Sequence, residues 1–202
     1  MILKDLLKAA QQSISVSLVM PSEDAAIDAR LLLQHSLAVS HAWLIAHMND
    51  ELSNTQKQSF EALLVRRLTG EPIAYILGMR EFYGLPLKTT PATLIPRPDT
   101  EALVEAALDK LPANQNLKVL DLGTGTGAIA LAIAKNRPQA QVTAVDFSDE
   151  ALSMAKENAR NLGVSNVRFS QSDWFLNLQG EKFDVIVSNP PYIAENDAHL
   201  TQ

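Results

Sequence analysis

The chain has no cysteine in its 202 residues, so neither a disulfide framework nor a thiolate metal site can be built, and a reducing, cytoplasmic setting is expected. It also lacks any run close to the roughly 18 apolar residues that a membrane span needs, so no membrane association is expected. The N-terminal Met1-Ile2-Leu3-Lys4-Asp5-Leu6-Leu7-Lys8 mixes acid and base in an amphipathic pattern, unlike the basic stretch and apolar core of a targeting peptide. Excess positive charge is missing too. Up to Pro98 there are 9 basic and 9 acidic residues, and from Asp99 onward 8 against 14, so the net charge of −6 sits in the second half. Gripping a nucleic-acid backbone relies on clustered Lys and Arg, and no stable nucleic-acid binding is expected. The histidines, His35, His41, His47 and His199, show no metal-ligand spacing with one another or with carboxylates, and no metal site is expected. What the chain does have is 47% hydrophobic residues, enough for the core of one large domain or two small ones.

Those residues follow two patterns. Apolar positions recur at helical spacing over 2–14, 25–37, 42–48 and 60–68, which predicts an all-helical domain over residues 1–80, with Ser22 and Ser53 or Asn54 as N-caps and Gly70 as a stop. Glu71 to Gly78 reads as a short helix or an extended link. Residues 81–98 read as a β-hairpin linker, with Phe82-Tyr83-Gly84-Leu85-Pro86-Leu87 at its centre. From Asp99 to Gln202 short apolar strands alternate with helices: helix to about Lys110, strand 118–122, helix 128–135, strand 141–145, helix 150–162, strand 167–170 and strand 183–188. Such alternation predicts an α/β domain with a parallel sheet, and ligands of these sheets bind beyond the carboxyl ends of the strands.

Val119-Leu120-Asp121-Leu122-Gly123-Thr124-Gly125-Thr126-Gly127 is a strand that runs into a glycine-rich turn and then a helix. Glycines let the backbone turn sharply and approach a ligand closely, so a nucleotide-like cofactor is implied. Asp146 ends the next strand, where a carboxylate can accept both ribose hydroxyl hydrogens. Gly123-x-Gly125-x-x-Ala128 also fits the dinucleotide fingerprint of a nicotinamide dehydrogenase. Asp121 weighs against that, because a pyrophosphate in the turn would meet extra negative charge. A carboxylate two residues before the first glycine is typical of S-adenosylmethionine folds, where it anchors, often through water, the amino end of the methionine moiety. After the third strand, Asp173 is placed to meet an adenine amino group. Trp174 either lies against the ring or packs as a core or domain-contact residue. Asp184 reads as an edge or surface residue.

Phe183 to Ser188 leads into Asn189-Pro190-Pro191-Tyr192. Two consecutive prolines fix φ near −65° and remove backbone donors, leaving a stiff loop whose carbonyls point outward. The Asn189 side-chain oxygen and the Pro190 carbonyl are both acceptors, a pair suited to holding an NH2 group. Tyr192 would pack on the plane of that group.

These motifs, together with Gly70-Glu71-Pro72-Ile73-Ala74-Tyr75-Ile76-Leu77-Gly78, Glu81-Phe82-Tyr83-Gly84 and Leu94-Ile95-Pro96-Arg97-Pro98-Asp99-Thr100-Glu101, resemble the release-factor glutamine N5-methyltransferase family (HemK/PrmC-like) along the whole chain. The resemblance implies a Rossmann-like, S-adenosylmethionine-dependent methyltransferase domain behind a helical substrate-recognition domain. It implies methylation of the glutamine of a Gly-Gly-Gln loop in peptide-chain release factors, a step of translation termination. Asp121, Gly123, Thr124, Gly125, Thr126, Gly127, Asp146, Asp173, Trp174 and Asn189 would then bind the cofactor. Asn189, Pro190, Pro191, Tyr192 and Arg97 would bind the substrate, with Asn189, Pro190 and Tyr192 catalytic. The string from Ile95 to Glu101 favours glutamine over adenine, the target of nucleic-acid methyltransferases that use a similar turn. Sheets of this type continue with three more strands beyond the fourth, so the catalytic domain is expected to lack its C-terminal part, and an inactive fragment is the remaining alternative.

Overall fold

The periodic apolar positions of the first half do form helices, and they close around a core of their own. In the computed structural model, which describes residues 2–190, the chain divides into two units, one ending at Leu77 and the other starting at Gly78. The first unit holds α1 (Leu3–Ser17), α2 (Ser22–Leu37), α3 (His41–Ala46), α4 (Asn54–Leu68) and α5 (Ile73–Leu77). Leu3, Leu6, Ala10 and Ile14 line one stripe of α1 and bury with Leu32 and Leu33 of α2 and Phe60 of α4. Ser53 caps α4 in a full capping box with Gln56. Ser22, expected as a cap, is instead the first residue of α2, and Pro21 stands before it at φ −54°. Across this core, Arg67 Nε donates to Asp28 Oδ2 at 2.7 Å, and its Nη1 donates to the Glu71 carbonyl at 3.1 Å.

The second unit begins with a hairpin, β1 (Met79–Phe82) and β2 (Leu85–Lys88). Its two-residue turn places Tyr83 at φ +51° and Gly84 at φ +73°. A bulky residue in the left-handed region costs roughly 1–2 kcal/mol, and carboxylates offset it: Tyr83 N donates to Glu101 Oε1 at 3.0 Å, and Gly84 N donates to Glu81 Oε1. Phe82, Leu85 and Leu87 bury in the same core as the parallel sheet. The hairpin thus spans residues 79–88 and packs with the sheet. A 3-10 turn (Pro98–Thr100) leads into α6 (Glu101–Lys110).

β3 (Lys118–Leu122), α7 (Ala128–Asn136), β4 (Gln141–Asp146), α8 (Asp149–Leu162), β5 (Val167–Gln171) and β6 (Val185–Ser188) complete the described residues. The sheet has strand order β5-β4-β3-β6, and every neighbouring pair is parallel. Side chains alternate across it. Val119, Val142, Ala144 and Val187 meet α6, α7 and α8, while Leu120, Leu122 and Val145 pack with Leu178 and Phe183 on the other face. In α7 every residue from Ala128 to Ala134 is buried, the alanines letting the helix lie close to the strands. The register pairs Leu122 with Val145 and with Ser188, and Asp146 with Gln171. All four strands thus end at one level, and the loops after them rise from the same edge. Asp184 braces the entry to β6: its Oδ2 accepts from Lys118 N at 2.8 Å.

The Asp28–Arg67 pair is the clearest stability test of the first unit, because both side chains are nearly enclosed, at 10% and 13% exposed. Asp28→Ala strands the guanidinium, and a loss of about 3 kcal/mol is expected in urea unfolding. A loss under about 0.5 kcal/mol would mean that the pair behaves as a surface contact.

Candidate functional site

A cavity of ≈ 470 Å³ opens above the carboxyl ends of the strands, within the second unit. Its floor is the turn after β3. Gly123 and Gly125 sit at φ +73° and +55°, and a Cβ on either would meet nothing within 4 Å, so both the backbone conformation and the open space above it belong to glycine. Gly127 differs. A Cβ there would come within 3.0 Å of Leu131 and 3.1 Å of Ala155, so this glycine lets α7 and α8 approach the turn. It does not line the cavity.

The turn is held from two sides by carboxylates. Asp121, fully buried beneath it, accepts from the Thr124 hydroxyl at 2.7 Å and from Ala130 N at 3.2 Å, both on Oδ2. It thus joins the end of β3 to the first turn of α7, where a negative charge is favourable. Asp146, at the end of β4, accepts from Gly125 N at 2.8 Å on Oδ2 and from Ser148 N at 3.0 Å on Oδ1. The Val145 carbonyl receives both Gly123 N and Thr124 N at 2.9 Å, and Gly127 N donates to the Thr124 carbonyl at 2.8 Å. Four amides of the turn therefore point into the protein. A pyrophosphate site needs such donors facing the ligand, so the dinucleotide reading fails on geometry as well as charge. A ligand with hydroxyl groups fits beside the Asp146 carboxylate.

Asp121 does not line the cavity. Its place is behind the turn, because the alternation of β3 aims it at the helix-covered face of the sheet. There it braces the turn through Thr124 and Ala130. Oδ1 is buried without a partner, the one such side-chain atom found among the described residues. An unpartnered buried oxygen costs about 1–3 kcal/mol. Burial, and then the nearby Asp146, push the carboxyl up to about 6, against the pull of Thr124 and Ala130.

The walls come from the other loops. Ser172 knots the turn after β5, donating to the Trp174 carbonyl at 2.8 Å and accepting from Asn177 N at 3.1 Å. This holds Trp174 at φ +48°, with the residue 57% exposed at the cavity wall. That exposure rules out the core reading of Trp174. Asp173 lines the same wall. Asn189 and Pro190 form the rim after β6 beside Thr100, to whose Oγ1 Asn189 Nδ2 donates at 3.1 Å, and Arg97 also lines the cavity. Pro191 and Tyr192 lie outside the described residues. Of the expected site residues, Gly123, Thr124, Gly125, Thr126, Asp146, Asp173, Trp174, Asn189, Pro190 and Arg97 come together around one cavity, while Asp121 and Gly127 stand behind it.

Sequence reasoning missed Asn158. Its side chain, 1% exposed, accepts from Lys88 N at 2.8 Å and donates to the Lys88 carbonyl at 3.1 Å and the Thr126 carbonyl at 2.9 Å, tying β2 to the cofactor turn. Its only sequence signal is an amide on the inward face of α8. Phe147 and Ser148 also line the cavity and follow Asp146 directly, a position that could have marked them.

A family model described as "Methyltransferase domain" matches residues 113–202, and one described as "PrmC N-terminal domain" matches residues 5–78. The chain is 50% identical over 188 residues to the release factor glutamine methyltransferase of Escherichia coli (strain K12), covering 93% of this chain and 68% of that protein. It is 52% identical over 196 residues to the protein of the same name from Vibrio cholerae, covering 96% and 67%. Among solved structures, a SAM-dependent methyltransferase from Agrobacterium tumefaciens is similar over 57% of this chain and 40% of its own, at 26% identity and a TM-score of 0.49. Residues 113–202, which carry the sheet and the glycine turn, form a methyltransferase domain. The chain is a member of the release factor glutamine methyltransferase family.

The raised carboxyl has a measurable sign. Between about pH 4 and 6 the unfolded chain has released a proton that folded Asp121 keeps, so stability attributable to this group falls as pH rises through that window. Asp121→Asn cannot titrate. Relative to it, the native protein is expected to lose up to about 3 kcal/mol between pH 4 and 6 in unfolding measurements, and a pH-independent difference would contradict the assignment.

Proposed function

We propose that this protein transfers the methyl group of S-adenosylmethionine to the side-chain amide nitrogen of a glutamine, in the Gly-Gly-Gln loop of peptide-chain release factors. The observation that carries the reading is the position of Asn189 and Pro190 on the rim of the cavity whose floor is Gly123 to Thr126 and Asp146. When bound, the cofactor supplies a sulfonium methyl already activated by its positive charge. Asp146 is suited to the ribose, since each of its oxygens accepts one amide and keeps a lone pair for a hydroxyl. Asp173 and the exposed face of Trp174 suit the adenine end.

An amide nitrogen is a poor nucleophile, its lone pair being delocalised into the carbonyl. The protein's work is therefore mostly orientation, which can supply several kcal/mol. Asn189 Oδ1 and the Pro190 carbonyl each accept one hydrogen of the NH2 group, turning the nitrogen toward the methyl donor. The same acceptors favour the positive charge that grows on the nitrogen during transfer. Among the described cavity residues no strong general base faces the rim, so the proton leaves to water afterwards. Arg97 closes the substrate side. The helical first unit is assigned to docking the release factor, since a loop-borne glutamine needs its surroundings held. Release factors as substrate imply a cytoplasmic enzyme, and the acidic second half argues against stable nucleic-acid binding.

Methyl transfer and cofactor binding separate the two ends of the site. Asn189→Ala should lower kcat at least 100-fold, about 3 kcal/mol, with cofactor affinity changed less than threefold. Asp146→Ala should reverse the order, weakening cofactor binding about tenfold or more. Unchanged turnover in the first variant, or unchanged affinity in the second, removes that residue from its role. Labelled methyl groups offered to release factors and to DNA in parallel test the substrate, and label in DNA alone would overturn glutamine.

A further inference from the structure

An asparagine amide has an accepting end and a donating end, and only the accepting end can hold an NH2 group. Nothing in the turn itself decides which end of Asn189 faces the cavity. In the structure Asn189 Nδ2 donates to Thr100 Oγ1 at 3.1 Å, so the nitrogen end is turned to the rim and the oxygen end is left over. Thr100 stands at the N-cap of α6, where a threonine hydroxyl commonly accepts from its own helix. Here it makes no such bond. Its hydroxyl reaches across 89 positions of sequence to the end of β6 instead.

The place from which Thr100 acts is rigid. The next residue, Glu101, receives Tyr83 N at 3.0 Å and so binds the start of α6 to the hairpin turn. Thr100, Asn189 and Pro190 all line the one cavity. We propose that Thr100 is a positioning residue: its hydroxyl, which can serve either end of an amide, fixes the place and plane of the Asn189 side chain by bonding Nδ2, and so holds Oδ1 toward the substrate nitrogen. The reversed amide would set NH2 against NH2, donor facing donor, and withdraw one of the two acceptors of the grip. The assignment rests on the glutamine-methylating reading of the rim, but the orientation of Asn189 can be measured without it.

Thr100→Val keeps the shape of the side chain and removes its oxygen, and Thr100→Ser restores the oxygen. The expected result for Thr100→Val is a fall in kcat of about tenfold or more, with cofactor affinity and the KM for release factor within about twofold of the parent. Thr100→Ser should recover kcat to within about threefold. In parallel, ¹⁵N NMR of the Asn189 side-chain NH2 should show solvent exchange several-fold faster in Thr100→Val than in the parent or in Thr100→Ser. Equal kcat and equal exchange in all three proteins would overturn the proposal, as would a loss in Thr100→Val that serine does not rescue or that cofactor affinity shares in full. If the parent protein methylates no release factor, the glutamine reading fails, and the exchange rates alone then decide whether Thr100 holds the amide.

Discussion

Two carboxylates acting on one turn are the constraint from which the rest of the site follows. Asp121 reaches the turn from behind through Thr124 and the amide of Ala130, and Asp146 reaches it from the side through the amide of Gly125. Together with the Val145 carbonyl, which takes Gly123 N and Thr124 N, they engage backbone donors of the glycine-rich loop. At the floor of the cavity the Asp146 carboxylate is an acceptor, where a phosphate site would present donors. The neighbouring charge also makes the buried carboxyl of Asp121 harder to ionise. The arrangement therefore stores some unfavourable electrostatic energy beneath the cavity, and Asp121 Oδ1 remains without a partner.

The rim repeats the logic of the floor. Proline at 190 has no amide hydrogen, and Asn189 has its nitrogen engaged by Thr100. What both ends of the cavity offer is acceptors, which suits a cationic methyl donor below and an NH2 group above. The parts that hold these acceptors are distant in sequence but rigidly joined. Glu101 fixes the hairpin turn, Asn158 fixes the end of β2 to Thr126, and the Ser188 hydroxyl donates to the Leu122 carbonyl at 2.9 Å, locking the rim strand beside the floor strand. Each bond uses a polar side chain that is partly or wholly buried, where an unmade bond would be expensive.

Local pattern carried much of this. The strand, glycine turn and helix around Gly123 to Gly127, the carboxylate at Asp146, and a strand running into Asn189 and Pro190 are all features of a few neighbouring residues, and they could be read before any fold was known. The helices of the first unit were legible for the same reason, since burial of one stripe leaves a 3.6-residue period. Boundaries were less so. The short alternating strands of the hairpin gave no hint of what they pack against, and only the fold shows Phe82, Leu85 and Leu87 in the sheet's core.

What the sequence by itself determined is the class of chemistry: which residues end each strand, that the turn after β3 is built of glycines, and that an asparagine and a proline follow the last strand. Only the tertiary structure decided which of those residues face the ligand. Asp121 and Gly127 sit in the motif yet stand behind the cavity, because strand alternation aims the first at α7 and close packing against Leu131 and Ala155 occupies the space beside the second. Asn158 and Thr100 lie outside the glycine turn and the Asn-Pro turn, yet they hold both in place. Their partners are 70 and 32 positions away for Asn158 and 89 for Thr100. A hydrogen bond depends on separation in space, and only the folded sheet and its helices set that.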